Sequence, residues 1–270
     1  MKIHVLTDNR TQKRGMLAEH GLSVYIEADG VNVLFDTGQT EVYLRNATRM
    51  DLTLRPDCIV ISHGHYDHGG GLIHYPAEQM PKIYLHPDAL RAKFVDGPEG
   101  FRENGLTWAL RNYSAIRDNM IYNDKDMPVA PGVSLHARIP SGAHEETPNG
   151  LFVETNGTKQ PDDMHEEQML VFERRGGLVI FLGCSHPGII NCLNHARALY
   201  PGLKIDTVIA GMHLIHEEPQ HLEQTAQKLC MLDIERLIPL HCTGIEGIAA
   251  MQCALGERCL PLCAGDSVEI

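Results

Sequence analysis

The stretch Ser62-His63-Gly64-His65-Tyr66-Asp67-His68-Gly69-Gly70-Gly71 directly follows an apolar run at residues 58–61. Two imidazoles two residues apart at a strand end can meet on one ion, and Asp67 and His68 can face a neighbouring position. Imidazole nitrogen together with carboxylate oxygen suits zinc, iron or manganese. The three glycines allow the backbone to approach such a site without Cβ clashes. The stretch therefore predicts a metal centre where a strand turns into a helix.

Two later segments repeat the order of strand, histidine loop and helix. The apolar run at residues 178–182 precedes Gly183-Cys184-Ser185-His186-Pro187, and the run at residues 237–240 precedes His241-Cys242-Thr243-Gly244. A proline suits the first turn of a helix, so we expect helices after Pro187 and from Pro219. The carboxyl ends of parallel strands lie along one edge of an α/β sheet. We therefore expect the three histidine loops to share one site.

Composition restricts the class of protein. The 270 residues are 43% hydrophobic, which is enough for a full core, and the formal net charge of -12 argues against a nucleic-acid binder. No apolar window reaches the roughly 18 residues of a membrane span, and the N-terminal residues lack a signal-peptide core. The sequence therefore predicts a cytoplasmic protein without nucleic-acid or membrane partners, whose eight cysteines are reduced thiols.

The histidine motifs resemble those of the metallo-β-lactamase superfamily, in which His-x-His-x-Asp-His follows a strand. The resemblance covers nearly the whole chain, since Phe35-Asp36-Thr37-Gly38, a middle histidine loop and a final histidine after a strand are also present. It implies the α/β class with a four-layer αββα sandwich, and a single domain over residues 1–270. Within it, we expect a helical and loop insertion around residues 76–139, and a surface loop or lid at residues 141–161.

The resemblance also implies a set of metal ligands. Superfamily members hold two metal ions with six or seven ligands, and a water or hydroxide between the ions attacks the substrate. Residue by residue, His63 and His65 would bind the first ion, and Asp67, His68 and His241 the second. Asp36 would orient the ligands. Zinc is the expected metal, with iron, manganese or magnesium as alternatives.

The middle motif departs from the superfamily pattern. Many members carry a Gly-Asp pair whose carboxylate bridges the ions, whereas this chain has Gly183-Cys184 followed by His186. We expect His186 to be the additional ligand, and Cys184 as a thiolate or His165 remain open alternatives. His213 follows the apolar run at residues 207–210, where it can reach the substrate. Asp67 and His213 are the predicted catalytic residues.

A finer resemblance points to one subgroup. Leu6-Thr7-Asp8-Asn9, Glu19-His20-Gly21-Leu22-Ser23 and Gly211-Met212-His213-Leu214 recur there together with the histidine loops. The subgroup includes archaeal synthases of a dihydropterin-methyl-ribofuranosylaminobenzene phosphate. It implies a transferase that forms a C–N bond while diphosphate leaves, on a pterin-like or phosphorylated small molecule.

Other functions and one other partner remain open from the sequence. One alternative is a hydrolase of a phosphoester, lactone or thioester. Others are a di-iron redox protein and a non-catalytic sensor. A second copy of the chain is a further candidate partner.

Overall fold

The computed structural model describes residues 1–28, 30–106, 108, 113–142 and 150–270. Its strands are β1 (Lys2–Thr7), β2 (Ser23–Ala28), β3 (Val31–Phe35), β4 (Cys58–Val60), β5 (Lys82–Leu85), β6 (Lys93–Gly97), β7 (Gly100–Glu103), β8 (Met120–Tyr122), β9 (Met127–Ala130), β10 (Val133–His136), β11 (Leu151–Thr155), β12 (Thr158–Pro161), β13 (Met169–Arg174), β14 (Gly177–Leu182), β15 (Ile205–Ala210), β16 (Arg236–Pro239) and β17 (Ser267–Glu269). Its α-helices are α1 (Val42–Arg49), α2 (Tyr66–Gly69), α3 (Ser114–Arg117), α4 (Ile189–Leu199), α5 (Pro219–Met231) and α6 (Gly244–Leu255).

Two large sheets and one small sheet are formed by these strands. Over the described residues, the first sheet has the order β17-β1-β2-β3-β4-β5-β8 and the second the order β16-β15-β14-β13-β10-β9. β3, β4, β5 and β8 run parallel to one another, as do β14, β15 and β16. The small antiparallel sheet has the order β12-β11-β6-β7. The parallel strands carry the histidine loops at their carboxyl ends.

Alternating apolar residues divide the core into three slabs. In β14, Val179 and Phe181 face the first sheet, whereas Leu178, Ile180 and Leu182 face α4, α5 and α6. In β4, likewise, one set of side chains enters the slab between the sheets and the other enters the slab against α1. Side chains of a strand alternate between its faces, so each sheet is buried on both sides. The result is the four-layer αββα sandwich that the sequence predicted.

The prediction of helices and loops around residues 76–139 is wrong in its secondary structure. That region contains six strands among its described residues, and β5, β8, β9 and β10 extend the two large sheets. β5 covers residues 82–85, which already read as a short strand in the sequence, whereas β8, β9 and β10 have three or four residues each, too few to show a clear alternation. Pairing with neighbouring strands stabilises these three in an extended conformation that their local sequence pattern did not indicate.

The loop or lid predicted at residues 141–161 is only partly a loop. Residues 143–149 lie outside the described residues, and from Leu151 the chain forms the β11–β12 hairpin, which pairs with β6. Leu151 and Val153 are buried against the fold. The polar, glycine-containing composition obscured this short alternation. No helix in the described part of the chain is long and apolar enough to cross a membrane.

Candidate metal centre

His63, His65 and His186 come together where β4 and β14 end. The Nε2 atom of His63 lies 3.0 Å from Nδ1 of His65, and one nitrogen from each of the three rings lies within 4.8 Å of the others. All three side chains are buried. Nε2 of His65 and Nε2 of His186 have no hydrogen-bond partner in the described structure. Buried polar atoms are normally satisfied, so these converging nitrogens have the character of a cation site.

Asp67, His68 and His241 form a second group beside the first. Oδ2 of Asp67 lies 3.3 Å from Nε2 of His241 and 3.8 Å from Nε2 of His68, and the two Nε2 atoms are 3.2 Å apart. Oδ2 of Asp67 also lies 3.2 Å from Nε2 of the exposed His20. Burial opposes ionisation of Asp67, but His68, His20 and His241 together hold the pKa of its carboxyl well below the usual range. This group offers two imidazole nitrogens and a carboxylate, and His20 adds a third nitrogen beside it.

Asp36 fixes ligands of both groups. Its Oδ2 accepts a 2.7 Å hydrogen bond from Nδ1 of His68 and a 2.8 Å bond from the Ser62 hydroxyl. Its Oδ1 accepts from the Ser62 backbone N–H, and the Ser62 hydroxyl oxygen lies 2.9 Å from Nδ1 of His63. Burial of Asp36 raises the pKa of its carboxyl, while Asp36 and Asp67 outweigh burial and raise the pKa of His68 to about 9. Asp36 thus lies where the sequence placed an orienting residue.

Glu167 holds the loop that carries His186, and sequence reasoning missed it. Its carboxylate accepts hydrogen bonds from the backbone N–H groups of Cys184, Ser185 and His186 and from Nδ1 of His186. Burial opposes its ionisation, but His186 and these donors lower the pKa of Glu167. One glutamate among the acidic residues before β13 carries no distinguishing signal in the sequence.

Asp8 and Asn9 hold His241 in the same manner. Oδ1 of Asn9 lies 2.8 Å from Nδ1 of His241, and Oδ1 of Asp8 accepts from the His241 backbone N–H at 2.6 Å. Both residues lie in the segment Leu6-Thr7-Asp8-Asn9, so the motif was visible in the sequence although its role was not. His20 was visible in the same way.

Four residues near the strand ends at this site have strained backbone conformations. Asp36, Ser185, His213 and His241 have φ values of 56°, 57°, 49° and 50°, a left-handed conformation that non-glycine residues adopt at a cost of about 1–3 kcal/mol each. Such conformations persist only where surrounding contacts enforce them. Here they turn the chain sharply at the strand ends, so that the side chains face the centre.

Two thiols lie within the histidine cluster. Sγ of Cys184 is 3.1 Å from Nε2 of His68, and Sγ of Cys242 accepts a 3.2 Å hydrogen bond from the His213 backbone N–H. Burial raises the pKa of Cys184. Burial also acts on Cys242, but hydrogen bonds with Cys184 and His213 and the nearby His241 hold its pKa well below the usual range. The two sulfurs therefore differ in their environments.

His213, the predicted catalytic residue, and His165, the alternative ligand, occupy different places. The His213 ring lies 4.7 Å from that of His186, and its Nδ1 has no partner in the described structure. His165 instead lies between Oδ2 of Asp88, at 2.8 Å, and Oδ1 of Asp163, at 2.5 Å. Burial opposes the charge on His165, but both carboxylates raise its pKa. The structure brings His213 to the cluster and places His165 in an exposed ion pair away from it.

The donor set fits bound divalent ions. Nδ1 of His68, His186 and His241 each engages a carboxylate or amide oxygen, which leaves Nε2 of each ring for the side of the cluster. Metal-binding histidines characteristically donate their second nitrogen to such an oxygen, which fixes the tautomer. All six residues predicted as ligands from the sequence lie in these two groups.

Comparison of this sequence with known proteins identifies a matching family profile and related proteins. The sequence profile of the metallo-beta-lactamase superfamily matches residues 17–163. The 7,8-dihydropterin-6-methyl-4-(beta-D-ribofuranosyl)-aminobenzene-5'-phosphate synthase of Methanocaldococcus jannaschii is 28% identical over 243 residues, covering 85% of this chain and 82% of that protein. Protein MJ0448 of the same organism is 27% identical over 252 residues, covering 92% of this chain and 93% of its own.

Solved structures agree with these matches. Tm1679, described as a metal-dependent hydrolase of the beta-lactamase superfamily, has a TM-score of 0.85 and 31% identity, covering 100% of this chain and 99% of its own. Zn(2+)-bound PqqB from Methylobacterium extorquens shares the fold at 14% identity, with a TM-score of 0.61 and full coverage of both chains. Since the profile match spans more than half of the chain and the signature histidines meet where strands of the two large sheets end, this protein belongs to the metallo-β-lactamase superfamily.

Proposed function

We propose that the chain is an enzyme whose site holds two divalent metal ions. His63, His65 and His186 bind the first ion, and Asp67, His68 and His241 bind the second. The observation that carries this proposal is the convergence of buried imidazole nitrogens whose opposite nitrogens engage Asp36, Glu167 and Asn9. Zinc suits this donor set best, iron and manganese less well, and magnesium least.

Ions bound there would act as Lewis acids toward phosphate or carbonyl oxygens of the substrate. The chain supplies the rest of the site. Asp67 presents a carboxylate oxygen between His20 and His241, and His213 offers an unpartnered Nδ1 beside His186. His213 is half-buried, so it lies between the imidazole cluster and solvent, where it can accept a proton from a bound substrate.

The reaction that we propose is the transfer of a dihydropterin-methyl group to an arylamine. The C–O bond to diphosphate breaks, a C–N bond forms, and the amine loses a proton, for which His213 is the acceptor. The support is the 28% identity to the M. jannaschii synthase over 85% of this chain, together with a site that suits a diphosphate leaving group. Asp67 and His213 are the proposed catalytic residues.

The test is to incubate the zinc-loaded protein with hydroxymethyl-dihydropterin diphosphate and ribofuranosylaminobenzene phosphate. Mass spectrometry would detect the coupled product, and a diphosphate assay would follow the leaving group. We expect coupled product and diphosphate in equal amounts, and loss of both in Asp67→Asn. Diphosphate release without coupling, at a rate independent of the amine, would reject the transferase.

That outcome would favour the second candidate function, a metal-dependent hydrolase. Its support is the 31% identity and full-length coverage of Tm1679, which is described as a hydrolase. A panel of phosphodiesters, lactones and thioesters would test it, with Asp67→Asn as the negative control. Neither candidate requires a macromolecular partner, and we propose a small-molecule substrate. We also propose a cytoplasmic location, with which eight free cysteines are consistent.

The metal assignment has its own test. Plasma emission spectrometry of the purified protein should find up to two ions per chain. His63→Ala and His65→Ala should each lose the first ion, and Asp67→Ala or His241→Ala the second. Unchanged metal content in all four variants would overturn the assignment.

A further inference from the structure

The geometry points to Cys184 as a thiolate ligand that bridges the two metal ions. This inference rests on the proposed two-ion site and adds a ligand to it. Cys184 stands directly after β14, in a Gly-Cys pair where many superfamily members have a bridging aspartate. Its side chain is buried at the centre of the imidazole cluster rather than at its rim.

The position of the sulfur supports a bridge between the two ions. Sγ of Cys184 lies 3.1 Å from Nε2 of His68. It also lies within 4.8 Å of ligand nitrogens of His63 and His186 on one side, and of His241 on the other. Ligand atoms on one metal ion are separated by distances of this order, about 3–4 Å, because metal–ligand bonds are about 2.0–2.3 Å long. One sulfur therefore reaches both ligand groups.

Charge supports the same assignment. Among the six proposed ligands, Asp67 alone carries a negative charge, against four positive charges on two divalent ions. The buried carboxylates of Asp36 and Glu167 behind His68 and His186 offset part of this charge, and a further anion in direct contact with the ions would offset more of it. A thiol on a divalent ion loses its proton, so Cys184 would add a second negative charge midway between the ions.

The backbone around Cys184 is built to hold the sulfur in place. A Cβ on the preceding Gly183 would lie 2.2 Å from the Ser62 hydroxyl oxygen, so only glycine permits this close approach. On the other side, the Cys184 N–H donates a 2.9 Å hydrogen bond to Oε1 of Glu167. Together these contacts fix where the side chain can point.

Cys242, the other thiol in the histidine cluster, provides a comparison for Cys184. Its sulfur accepts the His213 backbone N–H and lies within 4.8 Å of ligand atoms of His241 and Cys184. Cys242 therefore serves as the internal control, and exposed Cys253 as the distant one.

The test is zinc X-ray absorption on the fully loaded protein, with metal content measured separately. A bridging Cys184 gives about one sulfur per zinc at about 2.3 Å. A sulfur on only one ion gives about half that number. Cobalt-substituted protein should show the sulfur-to-cobalt charge-transfer absorption. Cys184→Ser should lose both signals, whereas Cys242→Ser and Cys253→Ser should keep them.

Cys184→Asp guards against misfolding of the serine variant, because it restores a negative ligand. We expect it to bind two ions without a sulfur signal. Three results in protein with two ions per chain would overturn the inference. They are the absence of a sulfur signal, a signal of half a sulfur per zinc, and a sulfur signal that survives Cys184→Ser. Fewer than two ions per wild-type chain would instead overturn the proposed two-ion site on which it rests.

Discussion

Nδ1 of His186 donates a 2.8 Å hydrogen bond to Oε2 of Glu167, and the carboxylate that orients this imidazole also accepts three backbone N–H groups of the same loop. Both side chains are fully buried. Hydrogen bonds to a charged acceptor are stronger than neutral ones, and burial strengthens them further. A single residue on the loop before β13 therefore sets the geometry of the loop after β14.

Glu167→Gln tests this relationship. The amide cannot accept all four hydrogen bonds, so His186 should lose its fixed orientation. We expect zinc affinity to fall by about 10- to 100-fold, the usual effect of removing a residue that orients a metal-binding histidine. Competition with a chromophoric chelator would measure it. Glu173→Gln, an exposed position on β13, is the control. Equal affinity in the two variants would show that Glu167 does not orient the ligand.

His186→Ala and His165→Ala distinguish the two histidines that the sequence offered as a further ligand. His186 lies among His63 and His65, whereas His165 pairs with Asp88 and Asp163. We therefore expect His186→Ala to reduce the metal content by about one ion, because it removes one of the three imidazoles proposed to bind the first ion. His165→Ala should leave the metal content unchanged. The reverse result, measured by plasma emission, would move the ligand assignment to His165.

Much of the site could be predicted because its residues lie next to apolar strands in the sequence. The strands before His63, His186 and His241 were readable as apolar runs. The single sheet edge expected for them is wrong, because β4 lies in the first sheet and β14 and β16 in the second, so the packing of the two sheets brings their carboxyl ends together. Helix α5 begins at Pro219 as predicted, whereas α4 begins at Ile189, two residues after its proline. The sequence was thus most informative for segments in which apolar residues form a continuous run and are buried in the structure.

The sequence did not reveal hydrogen-bond partners that lie far apart along the chain. Glu167 accepts hydrogen bonds from residues 17 to 19 positions away, and nothing local marks it. Asp8 and Asn9 belong to a visible motif, but nothing local indicates their hydrogen bonds to His241, 233 and 232 positions away. The short strands β8 and β9 were missed for the same reason, since they are stabilised by pairing with β5 and β10 rather than by their own pattern.

Gly183→Ala tests the close packing of the two histidine loops. The added Cβ would lie 2.2 Å from the Ser62 hydroxyl oxygen and 3.0 Å from Nδ1 of His63. Ser62 and His63 would have to move, so we expect destabilisation of about 1–3 kcal/mol and loss of the first ion. Urea unfolding and metal analysis would measure both. Gly176→Ala is the control, since its Cβ meets nothing closer than 3.6 Å. Similar stabilities for the two variants would contradict the packing argument.

Lys93→Met tests a buried ion pair behind the His65 loop. The Lys93 ammonium lies 2.5 Å from Oδ2 of Asp162 and 2.7 Å from Oε1 of Glu166, all three side chains are buried, and the Gly64 N–H points to the same Glu166 oxygen at 3.4 Å. Removing the cation leaves two buried carboxylates without their partner. We expect a loss of about 3–5 kcal/mol in the free energy of unfolding, whereas exposed Lys125→Met should change it little.

The pH dependence of that loss follows from Lys93 itself. Burial opposes its charge, but Glu166 and Asp162 outweigh burial and raise its pKa. A raised lysine pKa contributes stability in full below its ordinary value of about 10.4, and this contribution is lost as the pH rises through the folded-state value. The difference between wild type and Lys93→Met should therefore be constant from about pH 7 to 9 and should shrink at higher pH. Urea unfolding across this range would check it, and a difference that vanished near neutral pH would show that Lys93 is not charged in the folded protein.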